Sequence, residues 1–232
     1  MSSKVSSPPA RLLIADDHVL VREGMRSMLA KEPDLEVIGE AADGREALEL
    51  CRRFCPDLVL MDLRMPRMDG IEATREIKAE CPTVSVLVVT THESPDHLLD
   101  AIRAGAAGYV LKDATKGQLL DAVRKVLDGE SPLDQELAMR LLRRLASEDR
   151  GRIAEEQPSL PKPPINPLTD RELEALRLLA LGKTNREVAK DLRVSLSTAK
   201  KHVERIIAKL NVSDRTQAAV KAIELGLLSA QE

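Results

Sequence analysis

The chain has 232 residues, 31% charged and 43% apolar, which is enough for two modest domains that each bury a core. Its formal net charge of −3 is unevenly spread, −6 over residues 1–165 and +3 over residues 166–232, so the two parts face different partners. Trp is absent and Phe54 and Tyr109 are the only Phe or Tyr, which argues against a base-stacking platform for single strands; no apolar run approaches the roughly 20 residues of a membrane span.

The opening MSSKVSSPPA lacks the apolar core of a signal peptide, which points to a soluble cytoplasmic protein. Cys51, Cys55 and Cys81 have no zinc-like spacing and read as small buried apolar residues, with a redox or metal role as the alternative. Residues 11–17, RLLIADD, form a short apolar strand that runs into adjacent carboxylates, Asp16 and Asp17. Val21, Met25, Met28 and Leu29 keep helical spacing, and Pro33-Asp34 ends that helix. Leu35 to Ala41 alternates as a second strand, and Asp43 caps a helix carrying Ala47, Leu48, Leu50 and Cys51.

The stretch LVLMDLRMPRMDG, residues 58–70, follows. Its four apolar residues, Leu58 to Met61, lie between Pro56-Asp57 on one side and Pro66 and the turn pair Asp69-Gly70 on the other, so they read as a buried parallel strand ending in Asp62. A helix from Ile71 to Cys81 stops at Pro82, and the strand Val84 to Val89 delivers Thr90. A helix from Asp96 to Ala104 stops at Gly105. The fifth strand, Gly108 to Leu111, carries Tyr109 and ends at Lys112, and a last helix runs from about Lys116 to Leu127.

Five strands alternating with five helices imply an α/β doubly wound five-stranded parallel sheet. Right-handed crossovers put all the carboxyl ends on one edge, where open α/β sheets bind ligands. That edge holds Asp16, Asp17, Asp62, Thr90 and Lys112. Each alone has an ordinary explanation, since a lone Asp caps a loop and Tyr109 can simply fill a core. Four strands ending on polar groups point instead to chemistry. Converging carboxylates drive one another's pKa upward unless a cation shares the site, and Mg²⁺, a hard ion with oxygen ligands, meets that need. Asp62 then suits a nucleophile toward phosphorus, with the Lys112 ammonium and Thr90 hydroxyl on the other phosphoryl oxygens.

Residues 131–167 change character: one amphipathic helix with Leu137, Met139, Leu141, Leu142 and Leu145, then a charged, proline-rich spacer between the domains. From Leu168, cap signals recur at short intervals and give four short helices. Thr169 with Glu172 opens Asp170 to Leu181, and Thr184 with Glu187 opens Asn185 to Leu192. Ser195 opens a third helix ended by Asn211, and Ser213 opens a fourth closed by Gly226. In the third helix Leu196, Ala199, Val203, Ile206 and Leu210 form a buried stripe, while the opposite face carries Ser197, Lys200, Lys201 and Glu204, with Arg205 at its margin. A solvated charged face accounts for that pattern by itself. The short preceding helix and tight turn favour insertion in a DNA major groove.

The DD pair after the first strand, MDLRMPRMDG after the third, VVTTH after the fourth and GYVLKD at the fifth resemble the receiver domain of two-component response regulators, over roughly residues 10–130. The resemblance implies a flavodoxin-like fold, with Mg²⁺ held by Asp16, Asp17, Asp62 and the backbone carbonyl of Arg64. It further implies a phosphoacceptor at Asp62, switch residues at Thr90 and Tyr109, and a phosphate-binding Lys112. Asp113 departs from the proline many receivers carry there. Residues 168–230 resemble the LuxR-type helix-turn-helix of NarL/FixJ-type regulators in LTDRE, NREVA, STAKKHV, KLNV and DRTQAA. That implies Lys200, Lys201 and Glu204 facing base edges, with Thr198 and Lys209 on phosphates; Ala199, Lys201 and Asn211 depart from the usual Val, Asn and Gly.

Together the resemblances imply a cytoplasmic transcription regulator that is not an enzyme. It would take phosphoryl from a sensor histidine kinase on Asp62 and bind double-stranded DNA, as a homodimer when phosphorylated. One alternative is a regulator acting unphosphorylated through protein contacts. Another is a haloacid dehalogenase-type phosphatase, which needs a second acid two residues past the nucleophile, where Arg64 stands. Ala218, Ala219, Ala222 and Ile223 on the last helix are either a dimer seam or core, and His18, His92 and His97 are loop histidines without a role.

Overall fold

The computed structural model describes residues 8–91, 95–130 and 168–224, in two compact units. The helix and spacer expected within 131–167, the closure at Gly226, His92 and the Ile223 side chain lie outside the described residues.

In the first unit β1 (Ala10–Ala15), β2 (Leu35–Ala41), β3 (Leu58–Met61), β4 (Ser85–Thr90) and β5 (Gly108–Leu111) form one parallel sheet in the order β2-β1-β3-β4-β5. Between them run α1 (Val19–Leu29), α2 (Gly44–Phe54), α3 (Gly70–Glu80) and α4 (Pro95–Ala104), with α5 (Lys116–Leu127) last. Period-two alternation divides the strands between two cores. Leu12, Ile14, Leu58, Leu60, Leu87 and Val89 meet Met25, Leu29, Leu119, Val123 and Val126 of α1 and α5. Leu13, Ala15, Val59, Met61 and Val86 meet Ala47, Leu48, Cys51, Ala73 and Ile77 of α2 and α3. All four residues of β3 are buried, which is why its sequence is continuously apolar; each such Leu or Val contributes about 1.5–3 kcal/mol. Chain order reverses between β1 and β3, and the crevice outside their carboxyl ends is where this topology places a ligand.

The cysteines do not all follow the expectation of burial. Cys51 is buried, and burial pushes its thiol up to about 12. Cys55 is exposed, because it closes α2 in the left-handed conformation (φ 43°) and so leaves the buried face. Cys81, after α3, is half-buried.

The second unit holds α6 (Asp170–Ala180), α7 (Asn185–Asp191), α8 (Leu196–Leu210) and α9 (Arg215–Glu224). Their shared core includes Leu176, Leu179, Val188, Ala199, Val203, Ile206, Ala218 and Ala222. Both expected capping boxes are complete, Thr169 with Glu172 and Thr184 with Glu187. Two expectations change. Asp214 rather than Ser213 caps α9: its carboxylate accepts the Gln217 N–H at 3.0 Å, and the Ser213 hydroxyl donates to it. Leu196 is 41% exposed, since it stands in the first turn of α8 at the edge of the apolar arc. Of the last-helix residues left open between dimer seam and core, Ala218 and Ala222 are core, and Ala219 packs against them half-buried.

Candidate functional site

Backbone pairing carries the sheet one residue past the strands and so fixes the polar groups at their ends. Asp62 N–H donates to the Ala15 carbonyl at 2.8 Å, and Lys112 N–H to the Thr90 carbonyl at 2.8 Å. Asp16, Asp62 and Thr90 are only 0%, 5% and 1% exposed. Lys112 Nζ lies 2.6 Å from Asp16 Oδ2 and 2.9 Å from Asp62 Oδ2. The other oxygens are held by backbone: Leu63 N–H donates to Asp62 Oδ1 at 2.8 Å and His18 N–H to Asp16 Oδ1 at 2.9 Å. Asp17 is more open, with Oδ1 2.6 Å from His18 Nδ1.

This pocket is short of positive charge. Burial pushes the Asp62 carboxyl above its usual range against the pull of Lys112, and the Asp16 charge adds to the rise. Burial also works against the Lys112 ammonium, but its hydrogen bonds to Asp16 and Asp62 outweigh that and hold its pKa above the ordinary lysine value. The Lys112 ammonium, at 2.6 Å, serves the buried Asp16 Oδ2 and is shared with Asp62, so one cation answers two buried carboxylates. Oxygens of Asp16, Asp17 and Asp62 lie within 4.8 Å of one another, together with His18 Nδ1. Three converging carboxylates beside a single ammonium fit a hard divalent cation.

Arg64 is exposed and lines an open cleft of about 520 Å³ beside Asp17, with Leu63, Met65, Pro66 and His97. Sequence reading missed how the loop after Asp62 is held. Gly44 N–H donates to the Met68 carbonyl at 3.1 Å and Gly70 N–H to the Leu63 carbonyl at 2.9 Å, and Arg67, at φ 66°, pairs with the buried Asp43 that caps α2. A methyl built on Gly70 would overlap the Asp62 carbonyl oxygen and lie 2.9 Å from Leu63 Cα, so the loop closes only over glycine. Tyr109 stands opposite Val88 in the sheet and packs, half-buried, with Leu63, Val88, Ala101 and Ala106. It sits beside the residue after the acceptor, outside the carboxylate cluster.

In the second unit the Ser195 side chain caps α8 and lies 2.8 Å from the hydroxyls of both Ser197 and Thr198. Lys201, Glu204 and Arg205 are exposed, while Thr198 and Lys200 are half-buried, so Arg205 belongs to the outward face rather than to its margin. Lys209 is engaged inside the domain, its ammonium 2.6 Å from the buried Glu172 carboxylate. A second internal pair escaped the sequence reading: buried Arg215 donates to Asn185 Oδ1 at 2.9 Å and joins α9 to α7. Burial pulls the Arg215 guanidinium down to about 10. Periodicity places such residues on a face, but not opposite a partner 30 positions away.

A flavodoxin-like sheet with carboxylates and a lysine at its strand ends, in one chain with a helix-turn-helix, defines a receiver-type transcription regulator. The description "Response regulator receiver domain" matches residues 12–124, and "Bacterial regulatory proteins, luxR family" matches residues 166–222. The transcriptional regulatory protein LiaR of Bacillus subtilis is 42% identical over 212 residues, 91% of this chain and 96% of LiaR. A two-component response regulator of the LuxR family from Aurantimonas is 37% identical with a TM-score of 0.53, over 62% of this chain and 99% of that one. A structure of two RcsB dimers bound to two parallel DNAs is 26% identical with a TM-score of 0.51, over 94% of this chain and 98% of that one. The chain belongs to the NarL/FixJ-type response regulators of two-component systems, with a receiver domain and a LuxR-type DNA-binding domain. Among the described residues no helix is long and apolar enough to cross a membrane.

Proposed function

We propose that residues 10–130 receive a phosphoryl group on Asp62 from a sensor histidine kinase, and that residues 168–230, beyond a linker at 131–167, bind double-stranded DNA more tightly as a consequence. The observation that carries this reading is the convergence of Asp16, Asp17 and Asp62, the first and last of them on the Lys112 ammonium, in a pocket still short of positive charge. Mg²⁺ held by Asp16, Asp17, Asp62 and the Arg64 carbonyl would supply the missing charge, both to the carboxylates and to the phosphoryl oxygens.

The chain's own groups have separable tasks. An Asp62 oxygen attacks phosphorus, the P–N bond of the donor phosphohistidine breaks, and the imidazole leaves with its electron pair and takes a proton. Leu63 N–H holds Asp62 Oδ1, so Oδ2, beside Lys112, is the attacking atom. Lys112 exchanges its contact with that oxygen for one with the phosphoryl group, the Thr90 hydroxyl takes another phosphoryl oxygen, and Tyr109 repacks as Thr90 shifts. Nothing turns over: the protein is a phosphoryl acceptor in the cytoplasm rather than an enzyme, and Arg64 stands where a phosphatase of the dehalogenase type needs its acid.

Toward DNA, Lys200, Lys201 and Glu204 face base edges and Thr198 faces a phosphate. A phosphate contact by Lys209 would have to share an ammonium already bound to Glu172. The dimers in the RcsB structure's description support a homodimer as the binding form. Gel mobility of a binding-site fragment, measured before and after phosphodonor treatment, tests the switch. Phosphorylation should raise affinity, and Asp62→Asn should abolish both labelling and that rise. Equal affinity in the two states would mean a regulator acting unphosphorylated, and labelling that survives Asp62→Asn would mean another acceptor.

A further inference from the structure

Among the described residues, the donor atoms gathered at the pocket come from three carboxylates and one imidazole, that of His18. His18 precedes α1 without capping it, and its backbone N–H is fixed on Asp16 Oδ1 at 2.9 Å. Its side chain is 68% exposed, yet Nδ1 turns back to within 2.6 Å of Asp17 Oδ1 and 3.5 Å of Asp16 Oδ1. Donors around one octahedral ion with bonds of about 2.1 Å lie about 3 Å apart when adjacent and about 4.2 Å when opposite. The four donors here all lie within 4.8 Å of one another, with His18 Nδ1 2.6 Å from Asp17 and 3.5 Å from Asp16, so small shifts bring them to one ion.

We propose that His18 is a further protein donor of this pocket, through Nδ1, and that it biases the pocket from Mg²⁺ toward first-row transition-metal ions, weakly for Mn²⁺ and strongly for Ni²⁺. The inference rests on the reading that the pocket holds a divalent cation. Mg²⁺ favours oxygen and gives up water reluctantly, so an imidazole adds little to its binding. Affinity for nitrogen donors rises from Mn²⁺ to Ni²⁺, so the same imidazole adds progressively more along that series. Nothing has to unpack for the ring to serve, since it lies on the solvent side of Asp17 and its backbone is already tied to the acid pair. When no ion is present, the ring stays beside the Asp17 carboxylate, with Nδ1 2.6 Å from Oδ1.

Calorimetric titration of the full chain with Mg²⁺, Mn²⁺ and Ni²⁺, for wild type and His18→Ala, reads the bias directly. The ratio of Ni²⁺ to Mg²⁺ affinity should fall at least tenfold in the variant. Pulsed electron paramagnetic resonance of the Mn²⁺ form should show nitrogen coupling in wild type that disappears in His18→Ala. An unchanged ratio, nitrogen coupling that persists in the variant, or Ni²⁺ uptake that survives Asp62→Asn would each overturn the proposal. A wild type that takes up no Mg²⁺ would remove the underlying phosphoacceptor reading, whereas Mg²⁺ uptake with an unchanged ratio removes only the role of His18.

Discussion

Buried polar residues mean opposite things in the two units of this chain. In the receiver, Asp16 and Asp62 are sealed at the strand ends with their charge incompletely met: both share the one Lys112 ammonium, and burial pushes the Asp62 carboxyl above its usual range. In the helix-turn-helix unit, buried Glu172, Asn185 and Arg215 are matched to partners, Glu172 with Lys209 and Thr169, Asn185 with Arg215. The groups proposed to act there lie on an outer face, Lys201 and Glu204 exposed and Thr198 and Lys200 half-buried. Buried charge therefore marks chemistry where several carboxylates must share one cation; where each buried charge has its own partner, the same residue types are framework.

The strongest way to break the contrast is through backbone. Gly70→Ala forces a methyl into the Asp62 and Leu63 main chain, which cannot yield as a flexible side chain can. The expected cost is about 3 kcal/mol, at the upper end for overpacking, with phosphoacceptance lost alongside stability. Chemical denaturation together with phosphodonor labelling checks both. Normal labelling at a normal unfolding midpoint would mean that the pocket is not held by this crossing.

In the second unit the corresponding lesion is Lys209→Ala, which leaves the buried Glu172 carboxylate without its cation. Charge-assisted hydrogen bonds of this kind contribute about 1.5–3 kcal/mol, so the unfolding midpoint of this unit should drop by that equivalent. The pH dependence has a definite sign. Although burial tends to raise it, Glu172 is held below the ordinary glutamate value of 4.5, by Lys209 first and then by Thr169. A carboxylate with a depressed folded pKa contributes stability above its unfolded value and loses it as pH falls through the folded one. The gap between wild type and Glu172→Gln should thus close on acidification below pH 4.5. A gap that widens in acid would contradict the assignment.

Much of this was legible in the sequence because the relevant physics is local. Continuous apolar runs showed buried parallel strands, and polar residues ending four of those runs located the pocket before any coordinates. Capping boxes at Thr169 and Thr184 fixed two helix starts to the residue. What failed to show was pairing across the chain. Lys209 looks like a free cation beside DNA until Glu172, 37 residues earlier, is found beneath it. Arg215 and Asn185 carry no periodic signal of their partnership, and Arg67 gives no sign of reaching Asp43. His18 looked like an idle loop histidine because its neighbours in space, Asp17 apart, are set by the fold. Gly70 was visible as a turn residue, but the reason for it, its closeness to the acceptor's carbonyl, was not.

A smaller effect sharpens the exposed half of the contrast. Lys200→Ala should cost about 1–3 kcal/mol at a specific site if the ammonium reads a guanine, with the loss concentrated at one base position. Fluorescence anisotropy on matched and substituted fragments measures this. Thermal unfolding should move less than DNA affinity does, since Lys200 is only half-buried. A loss of equal size on every DNA would instead make Lys200 a phosphate contact.

The smallest effect concerns the turn that closes α8. Asn211 is left-handed (φ 52°, ψ 51°), and its N–H bonds to the carbonyls of the preceding turn. Asparagine tolerates this conformation through its short polar side chain, whereas alanine meets the Cβ clash in full, so Asn211→Ala should cost about 1 kcal/mol. Asn211→Gly removes that clash but adds freedom to the unfolded chain, and the two should nearly cancel, to within about 0.5 kcal/mol. Denaturant midpoints of the pair separate backbone strain from side-chain contact. If both variants weaken DNA binding more than they move the midpoint, Asn211 acts on the ligand rather than on the frame. The boundary between framework and function would then run through the end of α8 instead of along its outer face.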